Sequence, residues 1–365
     1  MRKKINFKNF DKVLFFTPIL IFMIGILSLY SASFKAHQLI LETLAMKQVL
    51  WMGVGVLLVF LIIRTDYFRL VDWAWPAYVF SLLLLVAVFF MPARLGAHRW
   101  IGLGGGFNIQ PSEIAKLSVI LMLARFFANN RPEFISKARL VQAFLIVLVP
   151  FALILKEPDL GTGLLLIPVF LSMLYLWGYK PKKILLLIGL GILATPFLIL
   201  LLKDYQRSRI LVFMNPNLDP LGAGYTIIQS KIAIGSGGLF GKGLLSGTQN
   251  RLQFLPEKHT DFIFGVIGEE GGFVASSLVV LLFWVLLRRG YRIAGQTPER
   301  FGSALACGIT TMLAAQTVIN LGMTMGLLPV VGVPLPLVSY GGTSIIITMV
   351  CIAILMNIKI HRPLF

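Results

Sequence analysis

Ten apolar segments dominate the sequence, at about 13–33, 48–63, 73–91, 112–128, 138–155, 160–178, 181–202, 262–287, 301–325 and 338–358. Most reach the ~17–25 residues with which a helix crosses a bilayer, and the second is the shortest. Inside hydrocarbon each segment must satisfy its own backbone N–H and C=O groups, so these segments are expected to be helices. The predicted fold is an all-α polytopic integral membrane protein with about ten transmembrane helices. It forms one integral membrane domain over 1–365, with a long extracytoplasmic loop at 203–260 between helices 7 and 8. Composition agrees: 57% of residues are hydrophobic and 13% charged, against about 25% charged in soluble domains.

An even number of spans places both termini on one side. With the N-terminus inside, 20 of the 33 Lys and Arg residues fall on the inner side, and seven of the rest sit in the one long loop. Long loops count little in that asymmetry, so both termini are predicted to be cytoplasmic. The net charge of +18 then needs no nucleic acid, because basic inner faces explain it. Arg2-Lys3-Lys4, the apolar run from Val13 and Ser31-Ala32-Ser33 imitate a signal peptide, but the run is long enough to span and reads as an uncleaved first helix. Cys307 and Cys351 both lie in apolar runs, where no disulfide framework is expected.

Ten of the 15 acids lie on the outer side or in the outer half of a helix, so polar chemistry concentrates there. Four outward pieces carry it: Arg94 through Arg99-Trp100 to Gln110-Pro-Ser-Glu113-Ile-Ala-Lys116; Lys156-Glu157-Pro-Asp159; the loop from Lys203 to Thr260; and Leu328 through Ser339 to Ser344. The loop far exceeds ordinary connection lengths, which marks it as functional, and Tyr225–Ser236 within it suits an interfacial helix.

Its last part runs Gln253-Phe-Leu-Pro-Glu-Lys-His259-Thr260-Asp261 into an apolar segment that carries Glu269 and Glu270. Asp261 can simply cap that helix, as can Thr260. Gly265, Gly268 and Gly272, however, fall within about 40° of Asp261 on a helical wheel, with Glu269 about 80° away. A bare stripe beside a carboxylate leaves room for a substrate, and an acid so deep should face a protein interior or a wet cavity. Glu270 points the other way, towards an expected basic partner. Glu113 and Lys116 share a helix face three residues apart, which fits a first-turn ion pair and a cavity pair equally. Arg94, Arg99, Lys156, Lys203, Arg207 and Arg209 suit an anionic ligand such as a lipid phosphate, or ordinary headgroups. The cluster Gly235–Gly243 has Ser236 and Gly243 where a phosphate-binding loop needs Gly and Ser/Thr, so it reads as a flexible turn. No His/Cys cluster has transition-metal spacing.

These motifs, in order along nearly the whole chain, resemble the SEDS proteins (shape, elongation, division and sporulation), membrane glycosyltransferases that polymerise peptidoglycan. The resemblance is strongest in Arg99-Trp-Ile-Gly-Leu-Gly, Gln110-Pro-Ser-Glu-Ile-Ala-Lys, Glu157-Pro-Asp-Leu-Gly-Thr, Phe254 to Phe264 and Pro334 to Ser344. Ile228-Gln-Ser-Lys-Ile-Ala-Ile-Gly-Ser-Gly-Gly and Gly247-Thr-Gln are similar to the elongation branch rather than the division branch. Gly271 and Thr343 depart from the residues usual there. The resemblance implies a lipid II polymerase of the bacterial cytoplasmic membrane acting in cell elongation, with its active site outside. It implies Asp261 as the essential aspartate and general base, and Glu113, Lys116 and Asp159 as cavity residues. Arg99, Trp100, Lys156, Gln253, His259, Thr260, Glu269 and Ser339 complete the expected cavity. Positive charge on the leaving diphosphate would come from Arg99 or Lys116, or from a divalent cation, Mg or Mn. The implied partners are lipid II, a class B penicillin-binding protein transpeptidase, elongation-complex proteins and membrane lipid, with no nucleic acid. A lipid II flippase is the rival. Acids gathered on one face, and no paired broken half-helices, weigh against it.

Overall fold

A computed structural model describes residues 10–33, 42–92, 99–102, 108–130, 136–201, 204–215, 218–219, 222–252 and 254–361. Among them are thirteen α-helices: α1 (Lys12–Ser33), α2 (Glu42–Ile63), α3 (Arg69–Ala87), α4 (Pro111–Asn129), α5 (Lys137–Lys156), α6 (Leu160–Leu176), α7 (Pro181–Leu201), α8 (Asp204–Met214), α9 (Ala223–Ser236), α10 (Thr248–Arg251), α11 (Ile263–Gln296), α12 (Arg300–Thr324) and α13 (Gly342–His361). Each of the ten apolar segments coincides with one of these helices. Seven (α1, α2, α3 extended to Phe90, α5, α11, α12 and α13) are long and apolar enough to cross a membrane. Helix α2 is longer than its apolar run, starting at Glu42. Outside the helices, Ile101–Gly102 (β1) and Asn108–Ile109 (β2) pair antiparallel.

Local chemistry sets several boundaries. Pro111 opens α4, where its missing N–H costs nothing. Ser136 accepts from Arg139 N at 3.2 Å to cap α5, and Asp159 accepts from Thr162 N at 3.2 Å to cap α6. Glu299 takes the first N–H groups of α12, from Phe301 at 2.9 Å and Gly302 at 2.7 Å. Helix α12 packs on α4, α6, α11 and α13, while α13 packs on α2, so these two form the interior of the bundle. In contrast α7 touches little beyond α6, and leaves Leu185, Ile192, Leu193 and Phe197 exposed. That is the pattern of a lipid-facing helix.

Within the long loop, α9 coincides with the helix expected over Tyr225–Ser236, while the rest of the loop is more structured than the sequence suggests. The loop holds α8, α9 and α10. The glycine cluster, expected as a flexible turn, is hydrogen-bonded along a break in α11. Gly272 there adopts φ 64° and ψ −159°, a backbone conformation almost confined to glycine. The break frees α11 backbone groups, and the loop takes them: Lys242 N donates to Glu269 O at 3.0 Å, Gly243 N to Glu270 O at 3.0 Å, Phe273 N to Gly238 O at 2.9 Å and Val274 N to Leu239 O at 3.1 Å. The glycine stripe is likewise filled. A Cβ at Gly268 would lie 3.0 Å from Ile234 of α9, and one at Gly272 only 2.3 Å from Gly241 N. Close backbone packing, not substrate space, is what these glycines supply.

Candidate active site

Asp261 sits in the turn that feeds α11, and three successive carbonyls of that turn are fixed from one side. Tyr340 N donates to His259 O at 2.8 Å, Ser339 Oγ to Thr260 O at 2.5 Å, and Asn320 Nδ2 to Asp261 O at 2.9 Å. Asn320 also holds Val333 O at 2.8 Å, so α12 and the loop preceding α13 form one support. Gln48 of α2 extends it, donating to Ser339 O at 2.9 Å. The Asp261 backbone is thus immobilised while its carboxylate, among the described residues, accepts no hydrogen bond.

Four charged side chains surround that carboxylate. Burial pushes Asp261 up to about 6 and the like charges of Glu257 and Asp159 add to it, while Arg209 and Arg99 oppose. A carboxyl poised there exchanges a proton near neutral pH, as a general base must. Asp159 is tied in differently. Besides capping α6, its Oδ2 accepts from Gln110 Nε2 at 3.2 Å and Ser112 Oγ at 3.3 Å, joining the mouths of α4 and α6. Arg99 donates Nε–H to Glu157 O at 3.2 Å and also reaches Pro158 O. Its charge therefore stands beside the turn that presents Asp159. Glu157 itself is fully buried with neither carboxyl oxygen partnered, and burial pushes it up to about 9, keeping it neutral. Burial also lowers His259, whose ring is neutral at pH 7.

One helical turn into α4, Lys116 Nζ lies 2.7 Å from Glu113 Oε1, with both side chains no more than 3% exposed. A buried pair of this kind is worth little net stability, yet costs about 3–5 kcal/mol to break. Its placement on α4, below Gln110 and Ser112, extends a polar track inward from Asp159.

Glu269 lies elsewhere. Its Oε1 accepts from Lys242 Nζ at 2.8 Å, Thr248 Oγ1 at 3.0 Å and Gln249 N at 3.0 Å, and its Oε2 from Asn250 N at 3.3 Å. The expectation of a cavity-lining carboxylate is corrected: Glu269 fastens the loop to α11, because the loop covers that face of the helix. Glu270 has no basic partner among the described residues. It accepts from Ser31 Oγ at 2.5 Å and Asn250 Nδ2 at 3.2 Å. Ser339 is buried and spent on the turn, and Thr260 Oγ1 donates to Glu257 Oε2 at 3.0 Å. Trp100 is half-buried beside β1, Lys156 is exposed at the end of α5, and Gln253 lies outside the described residues.

The structure brings Asp261, Asp159, Arg99, Arg209 and Glu257 together. Arg209 and Glu257 were visible in the sequence only as one more outer cation and one more acid of the loop. Asn320 and Gln48 carried a sharper signal, an amide inside an apolar run, where an unpaired polar group is costly. Among the described residues no three His, Cys, Asp or Glu side chains converge as a metal cage. A hard cation would therefore need carboxylates such as Asp159 or Asp261 together with substrate phosphates.

A bundle with a pinned, unpaired aspartate at its mouth defines a class that comparison makes specific. The profile of the FtsW/RodA/SpoVE cell cycle proteins matches residues 11–363, and the chain belongs to this family. It is 45% identical to the peptidoglycan glycosyltransferase MrdB of Escherichia coli K12 over 295 residues, covering 80% of this chain and 79% of MrdB. A chain from a peptidoglycan synthase complex, studied for its structural coordination of polymerization and crosslinking, superposes with TM-score 0.81 at 33% identity, over 96% of this chain and 97% of that one. The rod shape determining protein RodA of Thermus thermophilus gives TM-score 0.73 at 30% identity, over 97% of each chain.

Proposed function

We propose that the chain is a peptidoglycan glycosyltransferase that polymerises lipid II during cell elongation, with Asp261 as general base. The observation that carries this reading is an aspartate with a fixed backbone, an unpaired carboxylate and a raised proton affinity, flanked by Arg99 and Arg209. The 4-hydroxyl of an acceptor sugar loses its proton to Asp261 as its oxygen attacks the anomeric carbon of the lipid-linked chain. The bond to the diphosphate breaks, and the diphosphate leaves with the electron pair. Arg99 and Arg209 supply positive charge for that leaving group. A Mg or Mn ion held partly by substrate phosphates would add Lewis-acid charge there. Energy comes from the substrate, so no nucleotide is required. The synthase complex among the structural neighbours supports a crosslinking partner, proposed here as a class B penicillin-binding protein.

The site is proposed to face outward, with both termini cytoplasmic, on the strength of the Lys/Arg asymmetry. A cysteine at exposed Leu218 should react with an impermeant maleimide on intact cells, and one at exposed Lys182 should not. The reverse pattern would invert the topology.

Asp261→Asn keeps the side-chain size while removing the base. Purified in detergent with lipid II and the partner, wild type should make glycan strands. The variant should bind lipid II and lose about 10²–10⁴-fold in rate. Detergent removes the two compartments a flippase needs. Wild type that makes no glycan beside an active partner, yet moves lipid II across liposomes, would leave the flippase standing instead.

A further inference from the structure

The turn carrying Asp261 is held from one side by α12 and the loop before α13. On its other side the turn is tied to α10, where Lys258 Nζ donates to Asn250 O at 2.6 Å and, a little upstream, Phe254 N donates to Gln249 O at 3.1 Å. A protonated amine on a carbonyl is a charge-assisted hydrogen bond. The acceptor belongs to a residue held by several partners. Asn250 is 2% exposed. Its N–H is held by Glu269 at 3.3 Å, and its Nδ2 donates to Glu270 Oε1 at 3.2 Å and to Ser31 O at 2.9 Å. Two adjacent carboxylates of α11 and the end of α1 thus converge on one short helix, α10, and Lys258 ties the catalytic turn to it.

A second observation points the same way. Glu257, directly before Lys258, has φ 48°, in the left-handed region that non-glycine residues rarely adopt. Such a backbone persists only where its surroundings over-determine it. Thr260 N and Phe262 N both donate to Glu257 O, at 3.1 and 3.3 Å, so the strained residue also closes the turn around Asp261. Lys258 sits between that strain and the base.

We infer that Lys258, anchored through Asn250 by Glu269 and Glu270, is a positioning residue that sets the orientation of Asp261 towards the acceptor hydroxyl. This rests on the polymerase reading. Lys258 acts through the turn and is not a catalytic group. Misplacement of a reacting group by about 1 Å can cost on the order of a hundredfold in rate. The chain thus holds its base from two independent sides, and the α10 side is fixed by the carboxyl groups of Glu269 and Glu270.

The test uses the full chain with its partner in detergent. Lys258→Met should lower kcat by about ten- to a hundredfold while KM for lipid II and Tm stay within error, and Lys258→Arg, which keeps the donor, should recover most of the loss. Hydrogen exchange of the 254–262 segment should quicken in Lys258→Met and return towards wild type in Lys258→Arg. Asn250→Asp sets a carboxylate against Glu270, so it should quicken the same exchange. Adding Glu270→Gln restores a donor–acceptor pair and should slow it again, which guards against simple misfolding of the single variant. Wild-type kcat and exchange in Lys258→Met would overturn the inference. So would a Tm loss matching the kcat loss with no rescue by Arg. Should wild type make no glycan, the polymerase reading falls by itself, and the exchange measurements still decide whether Lys258 holds the turn.

Discussion

Asp261 and Glu269 stand at the mouth of one helix, about two turns apart, and the fold treats them in opposite ways. Glu269 receives four donors, one of them the Lys242 ammonium. Among the described residues Asp261 receives none on its carboxylate, although its own backbone carbonyl is held. Exposure separates them in part, since Asp261 is half-buried while Glu269 is fully buried. Donors separate them further: a saturated carboxylate has no lone pair to offer a substrate, whereas an unpaired one can still accept a proton. Joining a long loop to a broken helix is suited to the first kind, and proton abstraction requires the second.

That contrast predicts different kinds of loss. Glu269→Gln removes the charge and leaves Lys242, Thr248 and two backbone N–H groups with a weaker acceptor. It should cost about 1–3 kcal/mol of stability, read as a lower Tm in the same detergent. Asp261→Asn breaks no hydrogen bond and relieves an unpaired charge, so its Tm should equal or exceed wild type. Equal Tm losses in the two variants would break the comparison.

The two acids also differ in how much of their role was legible. Asp261 stood out through its neighbours and through the family motif around it, and the structure leaves its carboxylate unpaired. From sequence Glu269 reads as a cavity residue because a helical wheel assumes an unbroken helix with an empty face. Neither assumption holds: Gly272 breaks α11, and α9 with the Gly237–Gly243 turn covers that face. Pairing between loop N–H groups and the carbonyls of a broken helix has no periodicity to read, so the glycine cluster resembled a flexible turn. The membrane helices were legible because hydrocarbon imposes length and apolarity on each segment separately. Arg209 was not, because headgroup contact explains an outer arginine equally well until Asp261 is seen beside it.

The smallest predicted effect sharpens the comparison most, because it tests the environment of Asp261 without touching its hydrogen bonds. A base works ionised, so the rate should climb as pH rises through the Asp261 value of about 6 and level off above it. Burial is the chief cause of that raised value, and the like charge of Glu257 is the next. Glu257→Gln deletes the charge but keeps an amide oxygen for Thr260 Oγ1, which now donates to the carboxylate at 3.0 Å. The acid limb of the pH–rate profile should move to lower pH, yet stay above the ordinary 3.8 because the burial remains. Arg209→Met removes an opposing charge and should move the limb the other way. Glu257 is exposed, so its shift should shrink as salt rises past about 0.1 M, where screening falls to ~10 Å. A limb that ignores both substitutions would mean that the titrating group is not Asp261, and the unpaired carboxylate would lose its claim to the proton.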